Sequence, residues 1–376
     1  MSTAGSMATL ARALAEALDG GAPVRLDEVA GQQLLPAPPG TALVVRTSGS
    51  TTGTGRPVAL SAAALRHSAH ATHDHLGGPG QWLLALPPTH IAGVQVLLRS
   101  ILAGTEAALV PAGGFDPAAV ATAISGMRTD QRRYLSLVPT QLRRMLRSGP
   151  AAIDALRSLD GVLLGGAATS PPLLAEAAGA GVAVVAGYGM TETCGGCVYD
   201  GEPLAGVRIR IDEHGRILLG GPVLATGYLD AGDDPFHTVA GQRWLRTPDA
   251  GRIEQGRLQV LGRMDDVVVT GGVNVHPGPT QEALGRLAAV AQVAVVGLPD
   301  AEWGQVLTAV VVPAPGGERV DLGRLRTEVG GGPSAPRVLV LADALPMRGP
   351  GKVDRVGVRA LAQEAIDAGR AERHRG

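Results

Sequence analysis

No stretch of the 376 residues approaches 18 continuous apolar positions, about the length a helix needs to cross a bilayer, so no membrane span is expected. Cysteine is scarce: Cys194 and Cys197 form one C-x-x-C. Without a second pair or nearby histidines that is an incomplete zinc set, and two small residues lining a wall are expected instead. Neither charge sign dominates, with 33 Lys and Arg against 34 Asp and Glu and a net charge of -1. Such a chain has no global field for nucleic acid, and a polyanion must be held by helix N-termini, magnesium or single cations. A nucleotide fits that description and a duplex does not. Residues 1–20 read as an amphipathic helix with Arg12, Glu16 and Asp19, lack the apolar segment of a secretion signal, and make the cytoplasm the expected compartment. His67, His70, His73 and His75 have no acidic or cysteine partners at metal-ligand spacing, so a solvated helix face is expected there. There is no internal repeat.

What is present is a globular composition, 45% apolar and 18% charged, in a chain long enough for two domains without disulfides or structural metals. The 54 Gly and 27 Pro predict many tight turns. Apolar runs at 41–45, 82–86, 134–138, 161–165 and 182–186, several separated by helical segments, predict an α/β domain with a doubly wound, mostly parallel sheet. From about 204 the alternation in VRIRIDEHGRILLGG and GRIEQGRLQVLGR predicts a small antiparallel β-subdomain, about 204–264. After Asp265 and Asp266 the pattern becomes that of a separate α+β domain. The expected division is 1–264 and 265–376.

The segment from Thr47 to Pro57 crowds hydroxyls and glycines after a buried strand. Thr47, Ser48, Gly49, Ser50, Thr51, Thr52 and Gly53 offer backbone N–H and O–H donors to a polyphosphate. A G-K-[ST] ending is absent, so this is not a Walker loop, and a flexible surface loop is the alternative reading of the segment alone.

In order along the chain, this loop, Gly187-Tyr188-Gly189-Met190-Thr191-Glu192-Thr193, Thr247-Pro248-Asp249-Ala250-Gly251, Gly262-Arg263-Met264-Asp265-Asp266, Gly271-Gly272-Val273-Asn274 and Gly351-Lys352-Val353-Asp354-Arg355 resemble the motifs of the adenylate-forming superfamily of acyl-CoA ligases, adenylation domains and luciferases. The resemblance implies an N-terminal AMP-binding domain and a mobile C-terminal domain hinged at Asp265. It implies that ATP meets the loop, Arg56, Gly165, Gly166, Tyr188, Asp249 and Arg263, with Tyr188 on adenine and Asp249 on ribose. Thr191 then contacts phosphate, Glu192 holds Mg²⁺, Lys352 bridges the carboxylate and the α-phosphate, and Gly271 and Gly272 line the path of CoA. A carboxylate oxygen is the ligand magnesium prefers, and a cation aimed at the reacting phosphorus stabilises the charge that grows there.

Leu86 to Gly93, Ser136 to Leu142 and Thr193 to Asp200 resemble o-succinylbenzoate–CoA ligases of menaquinone synthesis, in a short actinobacterial form. That implies a small aromatic diacid as partner, with His90, Gly189, Gly195 and Gly196 at its site. Arg99 and Gln141 are candidates for its second carboxylate, and the sequence does not choose between them. Two departures from the family stand out. The loop ends Gly55-Arg56-Pro57-Val58 where a Pro-Lys-Gly run is usual, leaving open whether Arg56 replaces the lysine. The stretch before the loop is also short. A ligase or carrier-loading enzyme for another aryl or acyl acid, and a non-catalytic nucleotide-binding protein, remain alternatives. Oligomeric state is open, a homodimer included.

Overall fold

The computed structural model describes residues 3–29, 32–47, 55–111, 113–347 and 353–374. The first strands, β1 (Val24–Leu26), β2 (Thr41–Arg46) and β3 (Pro57–Ser61), lead to β4 (Gly80–Leu84), β5 (Ala108–Leu109), β6 (Arg132–Leu137), β7 (Gly161–Leu164) and β8 (Val184–Met190). These last five form a parallel sheet in the order β5-β4-β6-β7-β8, extended at one edge by antiparallel β9 (Gly195–Tyr199) and β10 (Glu202–Pro203).

Continuous apolar strands need cover on both faces, because successive side chains point to opposite sides. Here Trp82, Leu84, Tyr134 and Leu163 pack with residues of helices Thr3–Leu18, Ala62–His75 and Ile91–Leu102. Their neighbours Leu83, Leu135, Leu137, Val162 and Leu164 pack with helices Pro117–Ser125, Pro139–Leu146, Pro150–Arg157 and Pro171–Gly179. Truncating any one of these buried leucines to alanine costs about 2–5 kcal/mol. The α/β class with a doubly covered, mostly parallel sheet is what the structure has.

One strand sits elsewhere than expected. The run at 41–45 does not enter the parallel sheet: β2 pairs antiparallel with β3 in a separate sheet of order β1-β2-β3-β13, where β13 is Gly227–Tyr228. The reason is length, since a parallel return needs a crossover of a dozen or more residues and only residues 47–56 separate these strands.

The antiparallel region contains β11 (Arg208–Ile211), β12 (Arg216–Gly220), β14 (Phe236–Val239), β15 (Gln242–Glu254) and β16 (Arg257–Arg263) in one sheet. A further sheet holds β17 (Val268–Thr270), β18 (Val273–Val275), β19 (Val290–Asp300), β20 (Gly304–Pro313), β21 (Val338–Leu341) and β22 (Glu372–Arg373), with its own buried clusters. Among the described residues no helix is long and apolar enough to cross a membrane.

The histidine helix, Ala62–His75, is less solvated than its sequence suggests. His73 is only 3% exposed and accepts a hydrogen bond at Nε2 from Trp82 Nε1 at 3.2 Å. Burial, and then the Arg99 cation, push it down to about 4, so it packs as a neutral ring. No cluster of three or more His, Cys, Asp or Glu is placed to hold a metal among the described residues. Cys194 and Cys197 are free and buried, and burial raises both thiols.

Candidate active site

The parallel strands deliver the candidate residues at their carboxyl ends, where ligands bind in open α/β sheets. β4 leads to His90, an exposed residue that precedes helix Ile91–Leu102; β7 leads directly into Gly165 and Gly166; β8 runs through Tyr188 and Gly189 into a 3-10 turn, Thr191–Thr193. That turn is held by its own hydroxyl. Met190 N donates to Thr193 Oγ1 at 3.0 Å, and Thr193 Oγ1 donates to Gly195 O at 2.7 Å.

Two of the glycines assigned to the acid slot are demanded by packing. A Cβ on Gly189 would lie 2.2 Å from Gly195 O, and one on Gly196 would lie 2.8 Å from Tyr199 Cε1. No side chain fits at either position.

Residues 61 positions apart then meet. The Tyr188 hydroxyl donates to Asp249 Oδ2 at 2.9 Å, and Arg263 is the cross-strand partner of Asp249 between β15 and β16. Thr247 Oγ1 accepts from Asp249 N at 3.2 Å and fixes the strand there. Burial raises both the Tyr188 phenol and the Asp249 carboxyl, and the hydrogen bond from Tyr188 partly offsets the latter. A flat ring, a carboxylate and a guanidinium thus share one wall.

Glu192 is pinned twice: its backbone carbonyl accepts from Ala225 N at 2.8 Å, and its Oε1 accepts from the Tyr228 hydroxyl. Burial and the Glu192 charge hold that phenol well above its ordinary value. Magnesium is commonly held by one or two carboxylates together with waters and phosphate oxygens. Glu192, an oxygen donor on a fixed turn with no acidic cluster around it among the described residues, suits that use.

The neck of the hydroxyl-rich loop is closed by Thr47 N to Arg56 O and Arg56 N to Thr47 Oγ1, both 3.0 Å, and Arg46 Nη1 donates to Gly55 O at 2.6 Å. Ser48, Gly49, Ser50, Thr51, Thr52 and Gly53 lie outside the described residues, as does Lys352. The Arg56 side chain is turned to Asp230, with Nε 2.9 and 3.1 Å from the two carboxylate oxygens, and its guanidinium carbon sits 3.7 Å from the centre of the Tyr228 ring. Gly271 and Gly272 form the two-residue turn between β17 and β18, with φ of 55° and 78°. Their sheet is a different one, and no hydrogen bond among the described residues joins them to Tyr188 or Glu192.

Sequence reasoning did not single out Tyr228 and Asp230. The chain has only four tyrosines, and one standing in a Gly-Tyr-Leu-Asp run was the available signal.

Arg99 is 2% exposed, on the face of helix Ile91–Leu102 turned to β9. Its Nη2 donates to Tyr199 OH at 3.4 Å, its Nε is buried with no hydrogen-bond partner, and its guanidinium carbon lies 4.8 Å from the Trp82 ring centre. Burial lowers its pKa, and no carboxylate among the described residues pairs with it. One turn earlier, Gln95 Nε2 donates to Cys194 O at 2.6 Å while its Oε1 is also unsatisfied. Gln141, the other candidate, is engaged: its Oε1 accepts from Val138 N at 3.0 Å and its Nε2 donates to Ala85 O at 3.3 Å.

Comparison with known proteins shows the family. The family model of AMP-binding enzymes matches residues 9–229, and that of the AMP-binding enzyme C-terminal domain matches residues 280–352. A probable 2-succinylbenzoate–CoA ligase of Mycobacterium tuberculosis is 48% identical over 333 residues, 86% of this chain and 85% of its own length. The 2-succinylbenzoate–CoA ligase of Enterococcus faecalis is 30% identical over 298 residues, 72% of this chain and 59% of its own. Among solved structures, the o-succinylbenzoate CoA synthetase of Bacillus subtilis, in complex with its acyl-adenylate intermediate, superposes with a TM-score of 0.71 at 28% identity, covering 85% of this chain and 69% of that one. The chain belongs to the AMP-binding enzyme family.

Proposed function

We propose that this chain is an AMP-forming ligase that converts o-succinylbenzoate, ATP and CoA to o-succinylbenzoyl-CoA, AMP and pyrophosphate through an acyl-adenylate, a cytoplasmic step of menaquinone synthesis. The observation that carries the reading is the meeting of Tyr188, Asp249 and Arg263 beside the fixed Glu192 turn at the carboxyl edge of the sheet. Relatives named for this acid support the substrate.

In the first half-reaction a carboxylate oxygen attacks the α-phosphorus and pyrophosphate leaves. Tyr188 would pack on the adenine, Asp249 would accept from the ribose hydroxyls, and Arg263 would hold the same edge. Thr191 and the loop hydroxyls would donate to phosphate oxygens, with Gly165 and Gly166 leaving room for the nucleotide. Glu192 would hold magnesium, which when bound neutralises phosphate charge that repels the attacking carboxylate. Lys352 would bridge acid and α-phosphate. In the second half-reaction the CoA thiol displaces AMP, with residues 265–376 turning at Asp265 so that Gly271 and Gly272 replace Lys352 at the acid. The mixed anhydride already carries a good leaving group, so no enzyme nucleophile is needed.

The acid would enter past His90 and lie along Gly189, Gly195 and Gly196. Behind that wall, Arg99 is a buried cation that no carboxylate among the described residues pairs with, and a group of that kind is stabilised by an anion brought to it. The second carboxylate of the substrate is such an anion.

ATP–pyrophosphate exchange that depends on o-succinylbenzoate, followed by mass spectrometry of the CoA product, tests the reading. Exchange with benzoate-like acids but not with o-succinylbenzoate would move the substrate; no exchange with any acid would leave a nucleotide-binding protein. The ribose assignment is separable. Asp249→Asn should weaken ATP binding about tenfold, the loss of a hydrogen bond to a charged group, and should remove any preference for ATP over 2′-deoxy-ATP. Calorimetric titration with both nucleotides checks it, and a preference that survives in the variant would clear Asp249 of that role.

A further inference from the structure

The geometry points to Tyr228 as a positioning residue for Glu192, with Arg56 holding Tyr228 from behind; the inference rests on Glu192 being the magnesium-side carboxylate. Glu192 has a flexible side chain on a short turn, and its backbone anchor to Ala225 leaves the carboxylate free to rotate. The Tyr228 hydroxyl removes that freedom by donating to Oε1, which leaves Oε2 for a metal.

Tyr228 is itself placed by the exit of the hydroxyl-rich loop. β13 is two residues long and pairs with β3, Tyr228 opposite Val58, two positions after Arg56. The Arg56 guanidinium covers the Tyr228 ring at 3.7 Å and is fixed there by Asp230 and by Asp233 O, the latter at 2.8 Å. Gly232 makes the room, since a Cβ there would come within 2.8 Å of Arg56 Nη2. A cation over the ring face adds a cation–π attraction and draws electron density from the phenol, strengthening its donation to the carboxylate. Arg56 therefore acts on the metal-side carboxylate through Tyr228. A lysine could neutralise Asp230 but has no planar fork to lie on the ring and reach Asp230 and Asp233 together.

The test uses Mn²⁺ as a paramagnetic probe, titrated into the full chain with ATP and read by electron paramagnetic resonance. Tyr228→Phe keeps the ring and its packing, and should raise the Mn²⁺ midpoint about tenfold, the loss of one hydrogen bond to a charged group. ATP affinity without metal and the melting temperature should stay at the wild-type values. Arg56→Ala should move the midpoint in the same direction. In a Glu192→Gln background neither change should move it further. An unchanged midpoint in Tyr228→Phe, or the same shift with and without the Glu192 carboxylate, would overturn the inference. Acid-dependent pyrophosphate exchange by the wild type answers separately for the ligase reading.

Discussion

Lys352→Ala is expected to slow acyl-adenylate formation by about 10²–10³-fold, the usual effect of removing one preorganised charge stabiliser, while thioester formation from preformed acyl-adenylate stays within about threefold. The residues that flank the lysine account for this split. Met347 and Val353 bridge across the segment that carries it, and Asp354, which follows, caps helix Arg355–Asp367 by accepting from Val356 N. That helix sends Arg355 and Arg359 back to Asp266, at 3.1 and 2.9 Å, and Asp266 is the residue after the proposed hinge. The side chain of Asp266 is only 10% exposed, so this doubly paired carboxylate is not a solvent-screened surface contact. Asp266 and the helix that follows Lys352 are therefore tied together, and a turn at the proposed hinge would carry that helix with it. Single-turnover assays of each half-reaction check the split. If both halves slow alike, Lys352 is not confined to the adenylating step.

How much of this could be read from the sequence depended on distance along the chain. The runs at 82–86, 134–138 and 161–165 reported a doubly covered sheet because each strand is buried on both faces, which erases alternation. The run at 41–45 looks the same and lies in another sheet; only the short return to Pro57 distinguished it. Tyr188, Glu192, Gly195 and Gly196 are neighbours in sequence because β8, one short turn and β9 carry them all. Tyr228 reaches Glu192 across 36 positions, Arg99 reaches Tyr199 across 100, and Arg56 reaches Asp230 across 174. No local pattern encodes such pairs. His73 was misread because four histidines along one helix suggest a solvated face, whereas Trp82 and the apolar neighbours draw this one inward. The Arg56 difference from the family's lysine became interpretable only once Asp230 and the Tyr228 ring were seen around it.

Arg99→Met is expected to lower kcat/KM for o-succinylbenzoate by about 100-fold while leaving the KM for ATP within about twofold and raising the melting temperature. The two directions follow from one fact. A buried guanidinium with no carboxylate partner among the described residues destabilises the ligand-free fold, because desolvation of a charge costs several kcal/mol, and one long hydrogen bond to Tyr199 and the Trp82 ring repay only part of it. An unbranched apolar side chain of similar length fills the same space beside Trp82 and Tyr199 without that cost. When a carboxylate arrives, the balance reverses, since a charge-assisted contact in a dry site is worth roughly 3 kcal/mol, which is about 100-fold in binding. The protein then carries a destabilising element that the substrate's carboxylate would compensate, a common trade at binding sites. Arg99→Lys should recover little, because an ammonium cannot reproduce the planar fork that lies over Trp82 and reaches Tyr199. Monoacids of the same ring size provide the control: their kcat/KM should change less than threefold in Arg99→Met, having no second carboxylate to lose. Steady-state kinetics with both acids and a thermal melt decide the matter. Equal losses for monoacid and diacid, together with a lower melting temperature, would make Arg99 a packing residue and send the search for the carboxylate's partner elsewhere along the glycine wall.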